Sequence, residues 1–141
     1  MMKKMALLAI YCSHLCANDL TWSSPQQLSA FGETAADPRI GMDTQGNLVA
    51  AWIENDVVMS NTQSYKGSWN DFSKQVSDVG ATSLELVVDQ AGNATAIWNQ
   101  YGVIQSSTLP FSGNWSYPQG LSTNAGDTPP GEVASSPEIS V

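Results

Sequence analysis

The stretch DTQGNLVAAW, Asp43–Trp52, returns forty-six residues later as DQAGNATAIW, Asp89–Trp98. Residues 40–69 and 86–115, compared at that offset, share ten identities in thirty positions without a gap. Asp43 pairs with Asp89, Gly46 with Gly92, Asn47 with Asn93, Ala50 with Ala96 and Trp52 with Trp98. The match continues through Val57 and Val103, Ser60 and Ser106, Thr62 and Thr108, Gly67 and Gly113, and Trp69 and Trp115. These residue types set turns and cores, so the chain reads as an internal repeat whose period is that of a stacked array of supersecondary units.

Partial copies flank the two complete ones. TWSSPQQLS (Thr21–Ser29) matches SWNDFSKQVS (Ser68–Ser77) and NWSYPQGLS (Asn114–Ser122), and PEISV (Pro137–Val141) matches PRIGM (Pro38–Met42) and LELVV (Leu84–Val88). Each unit predicts four short strands. In the first they span 38–42, 47–54, 57–63 and 69–76, with turns at Asp43–Gly46 and Asn55–Asp56 and a looser turn around Gly67. In the second they span 84–88, 93–99, 103–108 and 115–121. Gly and Pro punctuate the chain and no segment carries a helical period. The second strand of each unit is apolar on both faces, with Leu48, Ala50 and Trp52 on one and Val49, Ala51 and Ile53 on the other, so it is expected to be covered on both sides. The expected fold class is all-β, with repeat units at about 38–83 and 84–136 and partial units at 18–37 and 137–141.

The unit P-x-[IL]-x-x-D-x-x-G-N-x-x-A-x-W, then V-[VI]-x-S, then G-x-W followed by a P/L/S-containing strand, resembles the Trp-rich repeats of exported bacterial β-propeller proteins. It is also loosely similar to the Asp-box of sialidases, although more residues separate Gly46 from Trp52 and Gly92 from Trp98 than that motif has. The resemblance implies four-stranded antiparallel blades, about two complete with partial blades at both ends. It carries little about activity, because propellers host many functions.

Propellers close with roughly four to eight blades, which leaves two expectations. The sequence is the first part of a longer propeller, the reading that the mid-unit ending PEISV favours. Alternatively the chain closes a ring as a homo-oligomer, as in small lectins that assemble a ring from several two-bladed chains. Two stacked blades are further expected to leave rows such as Val49, Ala51 and Ile53 bare, and such patches find partners.

Residues 1–17 resemble a signal peptide: Lys3 and Lys4, the apolar run Met5–Cys12, and Ala17 before the expected cut. The run is too short to span a bilayer, so an exported protein, secreted, periplasmic or at the cell surface, without membrane insertion is expected. Removal of this segment takes with it both cysteines (Cys12, Cys16) and the single histidine (His14), so no disulfide framework or thiolate metal site is expected. Arg39, Lys66 and Lys74 then face thirteen acids, a net charge of −10. Such a surface repels phosphate backbones, so nucleic acid is not an expected partner. Asn93-Ala94-Thr95 and Asn114-Trp115-Ser116 match the glycosylation acceptor pattern, which matters only in a eukaryotic secretory host.

A nucleophilic triad needs a base such as His, and a sialidase-like site needs an arginine cluster where only Arg39 is available. No catalytic residue and no cofactor is therefore assigned. Asp43 and Asp89 are candidate Ca²⁺ ligands, with local turn capping as the plainer role. Trp22, Trp69 and Trp115 are candidate sugar-stacking platforms at unit junctions, with packing between units as the plainer role. Arg39, Glu85 and Glu138 share one repeat position and are candidate ligand contacts if first strands line a channel. The leading expectation is a non-catalytic binding or scaffold module with a protein or glycan partner. The alternative is the N-terminal fragment of a propeller hydrolase, sialidase-like or another glycosidase, with its catalytic residues on other blades.

Overall fold

A computed structural model describes residues 23–123 and 137–140. The segment read as a signal peptide, Trp22 and the stretch 124–136 lie outside these residues. The described chain is all-β, without a helix, and forms two four-stranded antiparallel sheets. The first sheet runs in order β1 (Ala35–Met42), β2 (Leu48–Glu54), β3 (Val57–Gln63) and β4 (Lys74–Gln75). The second repeats that order with β5 (Ala81–Val88), β6 (Ala94–Gln100), β7 (Val103–Leu109) and β8 (Gln119–Gly120).

Local chemistry explains the connections. Asn55 and Asp56, both at positive φ (50° and 61°), make the two-residue β2–β3 turn, and Tyr101 and Gly102 make its β6–β7 counterpart at 52° and 81°. Paired positive φ values give a turn whose twist matches that of its strands. The first strands start three residues before their predicted limits and each holds a bulge, where Asp37 and Ser83 adopt φ of 48° and 56°. The fourth strands are shorter than the predicted 69–76 and 115–121. Trp69 keeps only an isolated bridge to Gln63, and regular pairing resumes at Lys74. Polar side chains capture the intervening backbone: Asn61 Oδ1 accepts from Asn70 N, and Ser107 Oγ donates to the Ser116 carbonyl. Such local bonds compete with a ladder.

The sheets stack face to face. One face of the first (Ala51, Ile53, Val58) meets the opposite face of the second (Ala96, Trp98), with Leu84, Ala81 and Val76 closing the cluster. Val49 joins Ala94 and Leu109 in a second cluster. The row Val49, Ala51 and Ile53 is therefore buried, contrary to the expectation that it would be bare, because it points into the inter-sheet layer. On the other face of the first sheet Ala50 and Trp52 are buried as well, as expected of a strand covered on both sides, while Ile40 is 63% exposed and Met42 64%. Trp98 is fully buried, and its Nε1 donates to Gln100 Oε1 as Trp52 Nε1 does to Glu54 Oε2. Burial with that hydrogen bond satisfied makes Trp98 the largest single contributor to the layer. Trp98→Ala is expected to cost about 3–5 kcal/mol, a large part of a small domain's stability. Urea unfolding followed by circular dichroism measures it.

Candidate functional site

The Asp-x-x-Gly-Asn turns carry the densest polar chemistry. Asp43 Oδ1 accepts from Gln45 N (2.8 Å) and Asn47 N (2.9 Å), while Oδ2 accepts from Asn47 Nδ2 (2.6 Å). Asp89 repeats this with Ala91 N, Asn93 N and Asn93 Nδ2. The Asn then reaches onward: Asn47 Oδ1 accepts from Tyr65 N and Asn93 Oδ1 from Phe111 N. Each turn between first and second strands is thus tied to the turn between third and fourth. Gly46 and Gly92 sit at φ of 87° and 86° beneath those aromatics, and a Cβ at either would lie 2.7 Å from the Tyr65 or Phe111 ring. The two candidate Ca²⁺ ligands therefore spend both carboxylate oxygens on their own turns. Among the described residues no group of three or more His, Cys, Asp and Glu side chains comes together.

Both carboxyls are held below the ordinary aspartate range, chiefly by the Asn side-chain amide and further by backbone N–H donors, against the opposing effect of burial. A carboxyl whose pKa falls on folding stabilises the fold above its unfolded value and loses that contribution as pH drops towards its lowered native value. Thermal stability is therefore expected to start falling near pH 5 and to drop through about pH 4 and below. The double variant Asp43→Asn, Asp89→Asn is expected to be less stable at neutral pH, with the gap narrowing in acid. A series of melting curves across pH checks this, and a gap constant with pH contradicts it.

At the β1–β5 edge, Arg39 and Glu85 form a two-pronged ion pair, Nη2–Oε1 3.0 Å and Nε–Oε2 3.2 Å. The structure brings these two candidates together, each about a third exposed. Such a pair contributes on the order of 0–1 kcal/mol. Glu138 lies exposed in the short segment 137–140, outside any strand.

Trp115 is half-buried against both clusters, and its Nε1 donates to Ser60 Oγ across the layer at 2.6 Å. It spans the junction, and its N–H is committed to the neighbouring sheet. Trp69, its counterpart, is half-buried on the opposite face of the first sheet.

At the junction edge away from Arg39, a groove of about 370 Å³ opens between the sheets. Its walls include Asn70, Phe72 and Lys74 from the first sheet and Phe111, Asn114 and Trp115 from the second. Phe72 is 82% exposed. Among the described residues, Lys74 is the only charged one lining the groove. Of these, the sequence pointed to Trp115 as a ligand-stacking candidate and to Asn114 only as part of a glycosylation acceptor pattern. Phe72 and Lys74 have no matching residue type in the second unit, so a search for repeated positions passes over them. The pairing of Tyr65 with Phe111 was readable as an aromatic position at the 46-residue offset.

No family model matches the chain, and no similar protein was found among curated proteins or solved structures.

Proposed function

We propose that this chain is a non-catalytic binding module built of β-propeller-type blades, exported from the cell, whose groove between the sheets takes a glycan. The blade reading is supported by four antiparallel strands per unit in sequential order and by first strands lying side by side. Export is supported by the charge, apolar run and small residue of residues 1–17.

The observation that carries the glycan reading is the make-up of the groove. An exposed aromatic, Phe72, shares the lining of the groove with Asn70, Asn114, Phe111 and Trp115. A sugar ring offers an apolar C–H face and a rim of hydroxyls. Aromatic faces suit the first, and a few placed amides suit the second. Asn114 and Lys74, in the same lining, offer partners to a hydroxyl or to the carboxylate of an acidic sugar.

A glycan array followed by calorimetric titration of the best binder tests this. Phe72→Ala and Asn114→Ala alter exposed side chains and are expected to weaken binding about tenfold or more, ~1.4 kcal/mol, without moving the melting temperature. Absence of any saccharide binding, or binding indifferent to Phe72→Ala, overturns the reading.

A further inference from the structure

The groove between the sheets does not end at Trp115. A cavity of about 340 Å³ adjoins it, sharing Gln75 and Trp115 and continuing past Val76 and Ser77 to Tyr117. A third, of about 380 Å³, shares Asp78, Tyr117 and Pro118 with the second and reaches Tyr101 in the β6–β7 turn. Both walls advance along the chain in the same order, 72 to 78 in the first unit and 111 to 118 in the second, so the three cavities follow one line along the junction. Residues 72–78 reach up to about 20 Å when extended, several times the width of one sugar ring. We propose that this line holds a linear, uncharged oligosaccharide, with Tyr117 and Tyr101 as platforms for sugars beyond those held near Phe72. The proposal rests on the glycan reading of the groove and extends it from one site to a row of them.

Each stretch of the line has its aromatic: Phe72 and Phe111 at one end, Trp115 in the middle, Tyr117 and Tyr101 at the other. Tyr117 is 84% exposed and Tyr101 72%, so their rings are open to the apolar C–H face of a sugar. Tyr101 is also held in place. Its ring lies against Gly80, at φ 98°, and leaves no room there for a Cβ. Gln100 Nε2 donates to the Val79 carbonyl at 3.0 Å, and Gln100 Oε1 accepts from the buried indole of Trp98. The loop beneath Tyr101 is thereby tied to the core, and a platform set before the ligand arrives loses little freedom on binding.

Charge and strand length narrow the occupant. Among the described residues the line carries one cation, Lys74, at one end and one anion, Asp78, towards the other. That lining suits an uncharged chain, whereas a polyanion lying along it meets Asp78 in a protein of net charge −8. An extended peptide would bind by adding a strand to a sheet edge. The bordering strands β4 and β8 are two residues long each and offer no ladder of that length.

The test is calorimetric titration of the full chain with cello- and chito-oligosaccharides, from disaccharide to hexasaccharide, with oligogalacturonate and hexaproline as comparators. One neutral series is expected to gain about tenfold or more in affinity with length. Tyr117→Ala is expected to abolish that gain and leave the disaccharide affinity unchanged, whereas Phe72→Ala weakens every member. Tyr101→Ala is the second variant of the same end. Affinity that stays flat with length, a gain that survives both tyrosine substitutions, or tighter binding of either comparator overturns the linear-chain proposal. If Phe72→Ala still weakens saccharide binding in those cases, the simpler glycan reading stands; binding of no saccharide at all overturns both.

Discussion

Strand β6 presents Ala94, Ala96 and Trp98 to the first sheet, all three fully buried, and the burial of that row is the constraint on which the structure depends. An isolated four-stranded sheet with apolar side chains on both faces of its second strand has no stable place in water. The first sheet answers with Ala51, Ile53 and Val58. The small residues at positions 51 and 96 let two backbones approach, and the large indole of Trp98 fills the space they leave. Trp115 then crosses the same layer to Ser60, so the indole N–H and the buried hydroxyl satisfy each other.

Polar turns hold the register in which this burial occurs. In each unit an Asp gathers the backbone of its own turn and hands an Asn to the next. A slip of one residue would turn every apolar side chain to the opposite face, and the tied turns resist it. The exposed end of the layer is then free for other chemistry, and the residues there, Phe72, Lys74 and Asn114, contribute nothing to the repeated pattern.

Much of the fold was legible because the same physics is written twice. The run LVAAWIE, apolar on both faces, the Asn55-Asp56 pair and the Asp-x-x-Gly-Asn turn each indicate local structure, and their recurrence aligns the units. The fourth strands were legible only in outline. Their shortening depends on Asn61 and Ser107 capturing the backbone of the adjacent chain, a contact between residues nine apart that no strand pattern encodes. Which apolar row would be bare was misjudged for a related reason: alternation assigns residues to faces, but only stacking says which face is covered. Of the candidate site residues, Trp115 was expected at a unit junction, whereas Arg39 and Glu85 were read as channel-facing ligand contacts and the structure pairs them with each other between β1 and β5. The groove itself was not readable, because Phe72 and Lys74 approach Asn114 only through the stacking of two sheets.

The central claim is that the two sheets are one cooperative body joined through the layer around Trp98. Native-state hydrogen exchange measures this most directly. The account predicts that the slowest amides of β2 and β6 exchange with the same free energy, equal to that of global unfolding, and respond alike to denaturant. Two distinct free energies, with one sheet opening while the other stays protected, would contradict it.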